Sequence, residues 1–289
     1  MSTGWWIVPF VVCSFISAQT TAPVTPSHAQ AVPLPVQAWK LLRSGAHEKG
    51  TEHRAAAIRS LSLLRGEKRA GALAIGALGD PKPEVRTAAA TALGELRDHS
   101  AIPALKDALS DKELTVVLAA AHSLLALKDT SPYDTYYAIL TGDRKGSGVI
   151  SSQMEILKDP KKMALLGFRE GIGYVPFGDI GYTAIRTVTR DSSAPVRAAA
   201  AKVLASDPDP VTQNMLAQEA LTDRSELVRI AALEAVSRHG DPVAIAKIGS
   251  ALSDPKYSVR YAAAATILHL NDISRRKRKR ESRAPMTND

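Results

Sequence analysis

Cysteine is nearly missing from this chain of 289 residues, which has only Cys13. Because Cys13 lies in an apolar N-terminal run, a chain processed after that run would have no disulfide, no thiolate nucleophile and no cysteine-ligated metal. Aromatic residues are also scarce, at 5% of the chain. With 45% apolar and 23% charged residues, the composition still indicates a globular protein that buries a substantial core.

Acidic residues are outnumbered, and much of the imbalance lies at one end. The formal net charge is +8, and residues 275–289 hold seven Lys or Arg against two Asp or Glu. Such a run binds nucleic acid, anionic lipid or an acidic protein, or it is a disordered, solvated tail, which we predict for residues 274–289. The candidate polyanion-binding residues are Arg275, Arg276, Lys277, Arg278, Lys279 and Arg280.

The N-terminal run from Trp5 to Ala18 contains no charged residue. It is shorter than the roughly 20 residues that a membrane-spanning helix needs. We therefore predict a signal peptide at residues 1–18 and an exported protein, periplasmic in a Gram-negative bacterium and otherwise secreted. No Lys or Arg precedes the run, so a buried N-terminal helix is an alternative, and the bulky Val12 disfavours a lipid on Cys13.

A Pro-rich segment separates this run from a periodic region. Residues 19–37 contain four prolines and no charge, which predicts a linker. A helix is predicted from Pro35 to Gly45, with the glycine as its C-cap. Beyond it, Asp recurs at steps of 31, 32, 16, 32, 32 and 31 residues, at Asp80, Asp111, Asp143, Asp159, Asp191, Asp223 and Asp254. A period in the low thirties with paired helices is typical of an α-solenoid.

The residue pattern of each repeat predicts two amphipathic helices. The first places Val85, Ala89, Leu93 and Leu96 on one face, and the second is marked by Ile102, Leu105 and Leu109. An Asp is followed six residues later by an Arg, which we interpret as capping plus hydrogen bonding rather than as a functional site. The pairs are Asp80 and Arg86, Asp191 and Arg197, Asp223 and Arg229, and Asp254 and Arg260.

The motif D-x-x-x-x-V-R-x-A-A-x-x-L recurs at Asp80 to Leu93 and at Asp191 to Leu204. With this motif the chain resembles the HEAT-repeat proteins, more closely the bacterial subgroup seen in phycobilin lyases. The resemblance implies an all-α fold, an α-α superhelix (HEAT-repeat solenoid), over residues 38–273. It also implies that the Asp and Arg side chains form a ladder between stacked units. Val117 and Leu165 stand where Arg is expected, so the ladder should break there. Each unit is expected to contact only its neighbours along the chain.

One region departs from the period. An inserted half-repeat is predicted at residues 143–158, and the nearby aromatic residues either fill a void beside it or form a recognition patch. The glycine-rich loop 142–148 lacks the spacing of a phosphate-binding loop. Seven of the ten aromatic residues after the N-terminal run lie in this region: Tyr133, Tyr136, Tyr137, Phe168, Tyr174, Phe177 and Tyr182.

No catalytic motif stands out. Among HEAT-repeat enzymes, deoxyhypusine hydroxylase holds two irons through several His-Glu dipeptides, whereas this chain has one, His47-Glu48, so no metal or other cofactor is expected. His99 and His239 are expected to be solvated loop residues. The sequence therefore predicts an exported, non-enzymatic scaffold that binds another protein and has no evident small-molecule substrate. The alternatives are polyanion binding through the basic tail and an unrecognised lyase-like accessory enzyme.

Overall fold

The computed structural model describes Met1, residues 32–141 and residues 193–283, and the statements below concern those residues. The chain divides into two compact units, Met1–Val32 and Pro33–Asp289, and every described helix belongs to the second. No strand occurs in the described residues, and none of their helices is long and apolar enough to cross a membrane. The inserted half-repeat predicted at residues 143–158 lies outside them.

The described part of the second unit contains twelve α-helices. Three short 3-10 helices, Leu61–Leu63, His99–Ala101 and Gly249–Ser253, extend or precede some of them. The α-helices are α1 Leu34–Gly45, α2 Thr51–Ser60, α3 Lys68–Ala77, α4 Pro83–Leu96, α5 Ile102–Ala108, α6 Leu114–Ala126, α7 Tyr133–Thr141, α8 Ala194–Leu204, α9 Pro210–Thr222, α10 Glu226–His239, α11 Ala244–Ile248 and α12 Tyr257–Glu281.

The helix boundaries follow from local chemistry. Before α4, the Asp80 carboxylate accepts a hydrogen bond from the Lys82 N–H at 2.9 Å, and Pro83 occupies the first turn. Proline suits that turn because its fixed φ is helical and it has no N–H to leave unpaired. At the other end, Arg97 with φ 54° stops α4. Gly240 with φ 82° stops α10, and glycine adopts that left-handed conformation without strain.

The first helices of the units stack in rows. Helices α2, α4 and α6 pack in succession, as do α8, α10 and α12. The second helices α3, α5, α9 and α11 each pack on the first helix that follows. The alanines of the first helices, such as Ala88, Ala89 and Ala90, are fully buried, and their small side chains let neighbouring helices approach closely.

The two rows are joined by the ends of the repeat region. Helix α12 packs on α2, and α1 packs along α12. The Leu34 end of α1 lies beside the second-helix position of the preceding unit, because a Cβ on Gly249 would lie 3.0 Å from the Leu34 Cδ1 atom. Helix α1 therefore serves as the second helix for α12, and one unit is built from segments far apart in sequence.

This arrangement corrects two expectations. The units do not contact only their neighbours along the chain, because α1 and α2 pack against α12. Gly45 is not the C-cap of α1, since it is the last helical residue and Ala46 follows it as the cap. A Cβ on Gly45 would lie 2.5 Å from the Tyr261 ring, so glycine is needed for close approach to α12. The helix also begins at Leu34, within the predicted linker.

Candidate functional site

The Arg and Asp side chains that recur in the sequence form rungs between consecutive units. Arg54 donates to both carboxylate oxygens of Asp80, from Nε to Oδ2 at 2.7 Å and from Nη2 to Oδ1 at 2.9 Å. Arg86 and Asp111 make the same two bonds at 2.7 Å each. The two further rungs are Arg197 with Asp223 and Arg229 with Asp254. Each arginine thus pairs with the Asp of the next unit.

The rungs of Arg54, Arg86 and Arg229 are tied to the backbone at both ends. Arg86 Nη1 donates to the carbonyl of Asp80 in its own unit at 3.0 Å, and the Asp111 carboxylate accepts from the Glu113 N–H at 2.9 Å. Burial favours a higher pKa for Asp111, but the hydrogen bonds from Arg86 and Glu113 outweigh it and hold its pKa below the usual value. The pKa of Asp80 is lowered through the same balance. These residues have a structural role, since their charges satisfy each other.

The rungs stop where the sequence predicts a break. Val117 is buried and apolar, so α6 has no guanidinium to offer a next unit. Asp191 and Leu165 lie outside the described residues. At the other end of the array, Arg260 donates only to carbonyls in its own turn, to Asp254 at 2.7 Å and Pro255 at 3.3 Å. No carboxylate in the described ranges lies within ion-pair distance of it.

An aromatic cluster replaces the rung between α12 and α2. The His53 ring stacks on Tyr257 at 4.0 Å between centroids, and its Nδ1 atom lies 3.3 Å from the Tyr261 hydroxyl. Tyr261 is 3% exposed. Burial, with Glu48 nearby, raises its pKa, so its hydroxyl stays protonated at neutral pH. The joint between the first and last units therefore rests on packing rather than on an ion pair.

The predicted aromatic patch is partly visible. Tyr133 and Tyr137 on α7 are 51% and 65% exposed and lie one helical turn apart. Tyr136 is half-buried, and burial raises its pKa. Phe168, Tyr174, Phe177 and Tyr182 lie outside the described residues. The structure therefore shows two aromatic side chains, one helical turn apart, that are each more than half exposed.

The basic run is not the disordered tail that the sequence suggested. Helix α12 continues through it to Glu281, because lysine and arginine are good helix formers and the preceding turns are anchored by buried residues. All six residues from Arg275 to Arg280 are exposed. Arg276 pairs with Asp272 at 2.6 Å one turn earlier. The run thus presents cations around a rigid helix end.

A groove between α1 and α3 was not predicted from the sequence. Its volume is about 870 Å³. Lys40 and Arg43 on α1 and His47 just after its end line one side, and Ala72 and Leu73 on α3 line the other. None of its lining residues is acidic. The sequence signal was a Lys and an Arg three residues apart in the short predicted helix before the repeats, with a His four residues later.

Trp39 and Arg69 form one end of this groove. The Arg69 guanidinium lies 4.5 Å from the centroid of the Trp39 ring, a cation–π contact. Glu67 accepts from Arg69 Nε at 3.2 Å, which fixes the orientation of the guanidinium. Both residues also line a smaller cavity of about 330 Å³ with Arg65, Arg275 and Arg276.

The histidines are dispersed. Within the described ranges, no group of three or more His, Cys, Asp or Glu could hold a metal ion. His99 is exposed in a 3-10 helix. His239 differs from its expected solvated state, because it ends α10 and both of its ring nitrogens are buried with no hydrogen-bond partner among the described residues. Packing at the end of α10 therefore covers a side chain that the sequence places in a loop.

The rungs, paired helices and register together identify the repeat type. A family model for HEAT repeats matches residues 40–134 and 183–268, more than half of the chain. The chain belongs to the HEAT-repeat family. That match does not distinguish the phycobilin lyase subgroup, so the finer resemblance stays a prediction.

Comparisons beyond the family model show only distant similarity. No curated protein is significantly similar to this HEAT-repeat chain. Among solved structures, human deoxyhypusine hydroxylase in complex with glycerol is 16% identical, with 83% of this chain and 97% of that chain covered and a TM-score of 0.33. That similarity is too weak to say anything about function.

Proposed function

We propose that this HEAT-repeat protein is a scaffold that binds another protein through the exposed tyrosines of α7. The observation that carries the proposal is the pair Tyr133 and Tyr137, each more than half exposed and one turn apart on the same helix. Tyrosine supplies a large contact area at little entropic cost, and for that reason it is enriched at the centres of interfaces.

Photo-crosslinking in the native host tests this proposal. A photoreactive phenylalanine at position 137 should capture a defined protein, and Tyr133→Ala/Tyr137→Ala should abolish its co-purification without lowering the melting temperature. The matched control is the same photoreactive residue at Lys106, which is exposed on α5. Capture of the same proteins from both positions, or unchanged co-purification with the double variant, would contradict the proposal.

We also propose that the protein is exported before it acts. The support is the uncharged apolar run that ends at the small residue Ala18, with Ala29-Gln30-Ala31 as a second site of the small-residue type that signal peptidases recognise. Mass spectrometry of the protein purified from its native host should find a mature N-terminus after Ala18 or after Ala31. An intact Met1 on the protein in the cell interior would contradict export.

A second candidate function is polyanion binding through the end of α12. The observation that favours it is the exposure of Arg275 through Arg280 around a helix, where several cations can approach one phosphate backbone or anionic surface. Binding to duplex DNA and to phosphatidylserine vesicles should weaken steeply with salt. A Lys277→Ala/Arg278→Ala/Lys279→Ala/Arg280→Ala variant should reduce that salt dependence, and an unchanged slope would exclude this surface.

A further inference from the structure

We infer that the groove between α1 and α3 is a second protein-binding site, whose occupant is an acidic amphipathic helix of a partner protein. This site is separate from the tyrosines of α7 and does not depend on them. It combines a row of cations, a small-residue floor and an aromatic end in one concave surface. Each of these three features restricts the chemistry of the ligand.

The cations come from α1. Lys40 and Arg43 are exposed and three residues apart, so they lie on one side of the helix, and the exposed His47 follows two residues after the helix ends. Among the described residues, no carboxylate lies within ion-pair distance of Lys40 or Arg43. Their charges are therefore available to a ligand, and they repel another basic surface.

The floor comes from α3. Ala72 is exposed and has a small side chain, and Leu73 adds apolar surface beside it. A small residue at this position leaves room for the backbone of another helix to approach, so this floor suits apolar side chains on one face of a helical ligand.

The spacing of the cations favours a helix over an extended strand. Carboxylates three or four residues apart on a ligand helix would lie along the groove at nearly the same interval as Lys40 and Arg43. Trp39, with Arg69 stacked on it, closes one end with an aromatic surface that accepts a large apolar side chain. Charge complementarity thus selects an acidic partner, and shape selects a helical one.

Fluorescence anisotropy with the full chain tests this inference. The probe is a fluorescein-labelled synthetic amphipathic helix with leucines on one face and glutamates on the other. Its counterpart carries lysines in place of the glutamates. The acidic peptide should bind, the basic one should not, and the affinity should fall as salt rises, because the contacts are between exposed charges.

Charge reversal locates the binding. Lys40→Glu/Arg43→Glu should weaken the affinity for the acidic peptide by about tenfold or more, since two ion pairs are replaced by repulsion. Lys82→Glu/Lys256→Glu makes the same change in net charge at exposed positions that do not line the groove, and it should leave the affinity within about twofold. Circular dichroism should show that both variants retain their helix content.

Three outcomes would overturn the inference. The first is equal weakening by the two double variants, which would indicate a net-charge effect. The second is no binding of the acidic peptide to the full chain. The third is tighter binding of labelled single-stranded DNA that depends on Lys40 and Arg43, which would make the groove a nucleic-acid site. Loss of binding by Tyr133→Ala/Tyr137→Ala would concern the proposed α7 site instead, so the two proposals fail separately.

Discussion

The joints between consecutive units and the joint between the chain's two ends are built differently. A joint between consecutive units carries an Arg–Asp rung made of two hydrogen bonds, as between Arg86 and Asp111. A hydroxyl also crosses it, since Ser123 Oγ donates to the Ala90 carbonyl at 2.8 Å. The joint between α12 and α2 has instead the cluster of His53, Tyr257 and Tyr261. Polar side-chain pairs therefore align the consecutive units, whereas the joint between α12 and α2 depends on the packing of aromatic rings.

The sequence positions explain the difference. Glu48 occupies the place of the rung Asp, and His53 occupies the place of the buried Val in the recurring motif. A glutamate at this position is one methylene too long to make the tight turn that Asp80 makes with Lys82. The Ser60 hydroxyl bonds within its own helix, to the Ala56 carbonyl at 2.9 Å, and does not cross the joint.

Removing one partner of a rung should have the largest effect. Asp254→Ala leaves the guanidinium of Arg229, which is 7% exposed, without its carboxylate, and should cost about 3 to 5 kcal/mol. Arg260→Ala at the closing joint removes only hydrogen bonds to carbonyls and should cost about 1.5 kcal/mol or less. Urea denaturation measures both values.

The control for that comparison is Asp241→Ala. The Asp241 carboxylate accepts from the Val243 N–H at 3.0 Å but forms no rung with an arginine in the described residues. Its replacement therefore reports the cost of the turn bond alone. Equal losses for Asp254→Ala and Asp241→Ala would mean that the rungs contribute nothing to the consecutive joints.

Truncation of a core leucine should destabilise a different set of helices at each of the two kinds of joint. Leu42 on α1 and Leu93 on α4 are both fully buried, and each change to Ala should cost about 2 to 5 kcal/mol. Because α1 packs along α12, Leu42→Ala should lower hydrogen-exchange protection in α12 as well as in α1 and α2. Leu93→Ala should affect mainly α2 to α6.

Protection lost only near residue 42 in the Leu42→Ala protein would show that α1 is not an integral part of the last unit. Uniform loss in both variants would show that the array unfolds as one body, which nearest-neighbour packing does not predict.

Acid should weaken the consecutive joints through their carboxylates. The pKa values of Asp80 and Asp111 are lower in the folded protein than in the unfolded chain. Their contribution to stability is therefore fully present above the unfolded pKa of about 3.9 and is lost as the pH falls through the folded values. Urea midpoints should decline below about pH 4.

An Asp80→Asn/Asp111→Asn variant is the control for this pH effect. It should be less stable at neutral pH and should show a smaller further loss on acidification. An identical pH dependence in the variant and the unmodified protein would assign acid unfolding to other groups.

The smallest effect is expected for a substitution that makes the joint between α12 and α2 resemble a joint between consecutive units. Glu48→Asp shortens the side chain so that it can accept from the Gly50 N–H and approach Arg260, as Asp80 does with Lys82 and Arg54. The gain should be about 1 kcal/mol at most, because both groups are partly solvated. A loss of stability in urea denaturation would show that the aromatic cluster sets a spacing that a rung cannot span.

Local signals were sufficient for much of the fold and for little of the candidate site. The alanine-rich faces, the Asp turns and the period predict the helices and their stacking, since each depends on residues close in sequence or one period apart. That Tyr133 and Tyr137 are more exposed than Tyr136 could not be predicted, because a periodic pattern does not say how deeply each aromatic ring is buried. The groove at Trp39 and Arg69 lies between α1, which packs along α12, and α3, which packs on α4, so it depends on contacts between segments far apart in sequence.

The sequence by itself determined a HEAT-repeat array with polar rungs, because each copy carries its own capping, its own apolar face and its own Arg and Asp. Only the tertiary structure decided that α1 completes the unit begun by α12. That contact joins residues more than two hundred positions apart, as with Gly45 and Tyr261. The physical reason is that such packing depends on the summed geometry of all the units between them, which no single repeat specifies.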